Sequence, residues 1–274
     1  MSLPHEADIF ADIATSYRNE LVAMTGLHDA VVSMMSAGSW TIRKRGLDRI
    51  VIETMAGLLT KALKTFRAMQ ILSERGLIED SDALLRVMLE NTMVIAFILQ
   101  KKHRERVRIY HAYTISQNIK MLNEWKNTPG LKRKATKKVM KEVNESLALW
   151  MRGLPPGTDV KHHWSGKRNL KEAMRALRGD VMYATLYRFT SSITHASDFG
   201  AHVEIERETN DFIWQIEPRA QGFEASSYTA RKLLWYAANR IDTRLGLGFS
   251  LSLAPHKPND PPFLAKAKTK RSLP

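Results

Sequence analysis

The chain has 274 residues, 44% of them hydrophobic, with no cysteine and a net charge of +14 at pH 7. That is enough apolar material for one large domain or two small ones, and too much for a disordered chain. The composition excludes disulfides, thiolate metal sites and cysteine nucleophiles, and it fits a reducing compartment, so a cytoplasmic location is expected. The opening residues, Met1-Ser2-Leu3-Pro4-His5-Glu6, carry neither a basic nor an apolar stretch, so no secretory leader is expected. The longest apolar run, Met93 to Leu99, is far short of the roughly 20 residues of a membrane span.

Helical periodicity dominates the chain. Residues 5–36 read as a first helix, with Ile9, Ile13, Tyr17, Leu21 and Met24 on one face and Gly26 as its candidate break. A second helix is expected from about Arg43 to Glu74, closed by Arg75-Gly76, a basic residue followed by a C-cap glycine. A third opens at Asp80-Ser81-Asp82 as N-cap and runs to about Lys102. It is apolar almost all round, which marks it as the buried central helix.

Further helices are expected at about 103–126 and 133–151, separated by Asn127-Thr128-Pro129-Gly130. A loop from Gly153 to Gly166 holds Pro155-Pro156-Gly157 and His162-His163-Trp164. Short helices follow at about 169–178 and 180–196. Residues 201–217 alternate apolar and polar, the pattern of a β-hairpin. A last helix spans about Ser226 to Leu245. There is no internal repeat. The expected fold is all-α, a bundle of about seven or eight helices with a small hairpin insertion. It forms a single domain over 1–253, followed by a flexible basic tail over 254–274.

The positive charge is concentrated. Residues 101–178 hold 20 Lys and Arg against 6 Asp and Glu, a net of +14. The tail from Ala254 adds +4, and the remainder of the chain is −4. A basic field of this kind attracts polyanions, nucleic acid before anionic membrane. A solvated helix face is the plain alternative. The densest run, Lys132, Arg133, Lys134, Lys137, Lys138 and Lys141, is the expected nucleic-acid-binding set. A membrane partner is not expected.

The segment 180–196 carries the most suggestive chemistry. At about 100° per residue, Met182, Leu186, Phe189 and Ile193 form one apolar stripe, while Arg188, Ser191 and His195 share the other side with Ser192 flanking them. A plain solvent face would favour Lys and Glu, and this one has neither. Arginine suits a bidentate grip on phosphate, and histidine exchanges protons near neutral pH. On the central helix, Arg86 and Glu90 stand at i, i+4. They read as a self-satisfied buried ion pair, or as support that orients Arg188 or His195. The adjacent His162 and His163 do not have metal-ligand spacing. Trp164-Ser165-Gly166-Lys167 lacks the length of a phosphate loop. No metal and no cofactor are expected.

Trp164-x-Gly166-Lys167 followed by Tyr183-x3-Tyr187-x3-Ser191-x3-His195, with Arg86-x3-Glu90 upstream, resembles a family of bacterial helical proteins catalogued as a domain of unknown function. The resemblance covers roughly residues 40–245 and bears on the fold. More distantly, Arg188-x6-His195 is similar to the Arg-x4–6-His motif of the HEPN superfamily (higher eukaryotes and prokaryotes nucleotide-binding). Many of its members are metal-independent ribonucleases of toxin–antitoxin and phage-defence systems that pair as dimers, with two Arg/His sets in one cleft. The hairpin expected after His195 departs from that compact pattern. The resemblance implies an RNA-directed homodimer with Arg188, Ser191, Ser192 and His195 as catalytic residues and an antitoxin or defence partner. A non-catalytic nucleic-acid-binding module and a ligand- or partner-sensing helical protein are the rival expectations.

Overall fold

Helix α3 (Arg49–Glu74) repeats apolar residues every three or four positions, and Val51, Met55, Leu59, Ala62, Phe66 and Met69 are buried along that stripe. It ends where the sequence places a glycine. Gly76 adopts φ +66°, and the Leu77 amide donates back to the Leu72 carbonyl at 2.9 Å, closing the last turn. The chain reverses and enters α4 (Ile78–Ile98), in which every residue from Met93 to Ile98 is buried. This is the central helix that the sequence predicts. In the computed structural model the described residues are 6–37, 40, 48–128, 133–177, 179–194, 203–205, 212–214 and 218–259.

The other helices pack around this pair. Helix α10 (Phe223–Leu245) lies against both, presenting Ser227, Ala230, Ala237 and Ala238 so that the backbones come close. Helices α1 (Glu6–Ser16) and α2 (Arg18–Ser36) cover α3. Helices α5 (His103–Asn127) and α6 (Arg133–Met151) form a helical hairpin whose first member touches α3 and α4. A loop leads to α7 (Leu170–Ala176), capped by Asn169, whose side chain accepts the Glu172 amide at 3.0 Å. Then come α8 (Asp180–Met182), a π-helical turn (Tyr183–Tyr187) and α9 (Arg188–Thr194), which rests on α4. Strands β1 (Val203–Ile205) and β2 (Phe212–Trp214) pair antiparallel, with Glu204 opposite Ile213. The all-α class holds. Among the described residues, no helix is long and apolar enough to cross a membrane.

Polar ties fix the core. Asn91 donates to the Leu58 carbonyl at 2.7 Å, joining α4 to α3. The C-terminal carbonyls of α4 are met by arginines: Arg244 donates to Leu99 and Gln100 at 3.0 and 3.1 Å, and Arg106 donates to the Phe97 carbonyl with its guanidinium 3.9 Å from the Phe97 ring.

Three boundaries differ from the sequence reading. The first helix breaks at Tyr17, which stacks on Phe223 at 4.5 Å, and not at Gly26. Gly26 sits inside α2 because a Cβ there would stand 2.9 Å from the His256 imidazole. Helix α4 starts at Ile78, so Asp80, Ser81 and Asp82 lie in its first turns and do not cap it. The expected tail boundary at 254 falls inside packed structure. Here α11 (Ser250–Leu253) continues into a 3₁₀ turn (Ala254–His256), and the Trp235 indole donates to the Leu253 carbonyl at 3.0 Å. The tail from 260 on lies outside the described residues.

The α3–α4 turn yields a test. A Cβ on Gly76 would be 2.8 Å from Pro218 Cβ and 3.0 Å from the Arg219 backbone nitrogen, at a φ that L-residues avoid. The Arg219 amide there donates to the Gly76 carbonyl at 3.0 Å. Gly76→Ala is expected to destabilise by on the order of 2–3 kcal/mol in urea unfolding. Gly57→Ala, on the exposed side of α3 with nothing within 4 Å of the new methyl, is expected to stabilise by up to about 1 kcal/mol. Equal effects of the two substitutions would refute the turn's special role.

Candidate functional site

Along α4 the cover thins at Arg86 and Glu90. Arg86 Nε donates to Glu90 Oε1 at 3.3 Å, with the side chains 22% and 41% exposed. The pair is half-buried, less enclosed than its place on the central helix leads the sequence reading to expect. The aliphatic surroundings stop short of it because α9 and the π turn lean on this part of α4 with polar groups. Arg86 Nη2 donates to the Tyr187 hydroxyl at 3.0 Å, and its guanidinium lies 5.0 Å from the centre of the Tyr187 ring. Nη1 donates to the Ser191 hydroxyl at 3.4 Å. Tyr183 stacks on Tyr187 at 5.0 Å. One guanidinium is thus oriented by a carboxylate, a phenol, a hydroxyl and an aromatic face.

The π turn explains why the expected stripe fails. Bonding from i to i+5 sets the chain back by about one residue relative to a regular α-helix. Met182 and Leu186 do pack on the core, but Phe189 is 56% exposed and Thr190 is fully buried in its place. Thr190 donates to the Leu186 carbonyl at 2.9 Å. Arg188 is exposed, as expected. Ser191 is not on a free facet with it but faces Arg86. Ser192 donates to the Phe189 carbonyl at 2.7 Å. His195 lies outside the described residues, one position beyond Thr194. The structure therefore brings together Arg86, Glu90, Tyr187 and Ser191.

Two residues without an assigned role extend the cluster. The Tyr113 hydroxyl is held above its ordinary pKa by burial and by the Glu90 carboxylate, which keeps it a neutral phenol. Its ring is 6.4 Å from that of His163. His163 is 8% exposed, and burial lowers its pKa to about 4, so it is neutral at pH 7. Its Nδ1 is 2.7 Å from the Ser165 hydroxyl and accepts the Ser165 amide at 3.4 Å, which leaves the ring proton on Nε2. Trp164 meets Phe97 edge-on at 5.6 Å, and Gly166 turns at φ +66°. The Trp-x-Gly-Lys stretch is thus a plug over α4. Periodicity could not single out His163, because a histidine in a loop carries no burial signal. Among the described residues no three His, Cys, Asp or Glu side chains are grouped as a metal would need.

The basic residues divide. Lys137, Lys138 and Lys141 are exposed on α6, with Lys141 Nζ 3.9 Å from Glu145. Lys132 and the side chains of Arg133 and Lys134 lie outside the described residues. The fold assembles a second basic locus. A cleft of about 600 Å³ at the start of α5 gathers Lys102, His103, Arg104, Arg108 and Arg152, with Asp48 and Glu105 as the opposing charges.

The chain belongs to the Family of unknown function (DUF5677), whose model matches residues 53–213. The match takes in α3 from Glu53 on, the Arg86–Glu90 pair, the Trp164 plug and the π turn. No curated protein and no solved structure matches the chain.

Two buried ionisable groups make opposite demands on stability. Between pH 6.5 and about 4 the unfolded chain binds a proton at His163 that the folded chain refuses, so this contribution is full above 6.5 and lost as pH falls. Burial raises the Asp82 carboxyl from 3.8 to about 6, against a smaller opposing effect of the Ser226 hydroxyl. The folded chain therefore holds that proton longer, and the contribution of Asp82 weakens as pH rises from about 4 to 6. In urea unfolding at several pH values, His163→Gln is expected to leave a stability that falls with rising pH relative to wild type. Asp82→Asn is expected to steepen the rise and to be more stable than wild type at pH 7. Unchanged pH profiles in both variants would remove these groups as the cause.

Proposed function

We propose that this chain is an RNA-directed protein that binds a phosphodiester beside the Arg86 cluster and cleaves it without a metal ion, as a toxin or phage-defence effector. The observation that carries this reading is the guanidinium of Arg86. It is held by Glu90, Tyr187 and Ser191 at a π-helical turn, an irregularity frequently found at functional sites. Arg188 is exposed on the following turn and supplies a second cation. The basic surface of α5 and α6 would follow the phosphate backbone.

In the proposed reaction His195 accepts the proton of a ribose 2′-hydroxyl as its oxygen attacks the neighbouring phosphorus. The bond from phosphorus to the 5′-oxygen breaks, that oxygen takes up a proton, and a 2′,3′-cyclic phosphate remains. Arg188 offsets the charge that builds on the phosphate oxygens, and Ser192 positions one of them. Ser191 and Glu90 act through Arg86, holding it in place. A second copy of the chain would supply a second Arg188 and His195, and the exposed Val181 and Phe189 offer it an apolar contact. In this reading the short β-ribbon is an insertion between α9 and α10.

The experiment is a cleavage assay on single-stranded and folded RNAs in excess chelator, paired with binding at several salt concentrations. Wild type is expected to cleave. His195→Ala and Arg188→Ala are expected to lose about 10²-fold or more in rate while His195→Ala still binds RNA. Binding should fall with salt at a log–log slope of about −0.7 per phosphate contact. Undiminished cleavage by His195→Ala would end the mechanism as drawn. Steep salt-dependent binding without cleavage would leave a non-catalytic nucleic-acid-binding module, and a flat salt response would remove nucleic acid altogether.

A further inference from the structure

Two openings are lined by the same three segments, the first half of α3, the start of α5 and the end of α6, and they differ in chemistry. The first is the cleft of about 600 Å³ at the start of α5. Its two carboxylates are already paired, Asp48 with Arg104 and Glu105 with Lys102, each at 3.1 Å. Arg108 and Arg152 meet no carboxylate among the described residues. Arg108 donates to the Arg152 carbonyl at 3.0 Å, which holds the two residues together, and the exposed Arg152 guanidinium makes no hydrogen bond or ion pair there. Each guanidinium carries five donors in a planar fork that matches phosphate, so most of both sets remain unused. Lys102 gives α5 no side-chain cap, and the amides of the first turn add partial positive charge at the same end.

The second opening, of about 380 Å³, is aromatic. Tyr110, His111 and Trp150 line it, and all three are half-buried, so an entering molecule can touch them. His111 stacks on Trp150 at 4.3 Å and meets Tyr110 edge-on at 5.6 Å. Its Nε2 is 2.9 Å from the Thr54 hydroxyl, which fixes the ring plane, and burial lowers its pKa, so the ring is neutral at pH 7. Gly57 contributes no side chain to the wall, and a Cβ there would meet nothing within 4 Å. One benzene ring occupies a cavity of about 150 Å³, so this space admits a two-ring base. The openings are neighbours: Arg108 and His111 are one turn apart on α5, and Trp150 and Arg152 are two positions apart where α6 ends.

We propose that the two openings together bind a purine nucleotide, its phosphates at Arg108 and Arg152 and its base among Tyr110, His111 and Trp150. A free nucleotide and the 5′-phosphorylated end of an RNA strand offer the same chemistry. The site uses neither Arg86, Arg188 nor His195, so it stands independently of the RNA-directed reading.

The test titrates the full chain with ADP, GDP, pyrophosphate and adenosine by calorimetry and by ligand-induced change in Tm. At least one of the two nucleotides is expected to bind saturably and raise Tm, at least tenfold tighter than pyrophosphate or adenosine, because each of these fills one opening only. Arg152→Gln changes an exposed side chain, leaves the fold intact, and is expected to weaken the nucleotide at least tenfold. Gly57→Leu places a side chain in the aromatic opening and is expected to weaken the nucleotide to the level of pyrophosphate. A short oligoribonucleotide beginning with the same purine and a 5′-phosphate separates the sources. Binding like the nucleotide supports the site as a receptor for an RNA end, and binding of the free nucleotide alone supports it as a small-molecule site. Absence of binding by both ADP and GDP at millimolar concentration would overturn the proposal. So would pyrophosphate or adenosine matching the nucleotide, or binding unchanged in Arg152→Gln or in a folded Gly57→Leu.

Discussion

A helix that is apolar nearly all the way round has to be covered on every side, and α4 imposes that requirement on its neighbours. Helices α3 and α10 take two sides, α9 a third, and α5 approaches near the C-terminal end. The last carbonyls of α4 have no partner within the helix. Arg106 and Arg244 reach in from α5 and α10 to satisfy them. Long cationic side chains can do this because their stems pack on apolar surface while the guanidinium donates to several oxygens at once. The same helix therefore explains both the core and the arginines that penetrate it.

The Arg86 cluster follows from the one stretch of α4 that is not sealed by aliphatic side chains. A half-exposed ion pair contributes little to stability, so the worth of Glu90 lies in fixing where the guanidinium points. The π turn has the same effect from the other side. It widens the helix by one residue just before α9, which brings Tyr187 and Ser191 to Arg86 and turns Phe189 outward. A regular α-helix over the same residues would have put Phe189 against α4, and the aromatic ring would have taken the place of the hydroxyls.

The segregation of charge has a similar logic. The helices that build the core carry nearly balanced charge, whereas the segment from 101 to 178 carries a net of +14. Helices α5 and α6 form a hairpin at the side of the bundle, so exposed lysines accumulate there without crossing the core. The cleft at the start of α5 concentrates the field further, since Arg108 and Arg152 are brought together there from distant positions, Arg108 donating to the Arg152 carbonyl at 3.0 Å.

How much of this was legible in advance depends on the range of the interactions. The α3–α4 turn, the burial of α4 and the loop before α7 are matters of local pattern: a C-cap glycine, an apolar run and a cluster of prolines and glycines. The pairing of Arg86 with Glu90 is also local, four residues apart on one helix. What sequence could not supply is every contact that crosses between elements. The hydroxyl of Ser191 meets Arg86 across 105 positions, His163 is desolvated by burial, and the aromatic opening at Trp150 is bounded by three separate segments. The π turn belongs here too, because the fifth-residue hydrogen bond is selected by what α4 offers to pack against, and no residue type encodes it. Local backbone preferences are written in the residues themselves, whereas desolvation and hydrogen-bond partnership exist only after the chain has closed on itself.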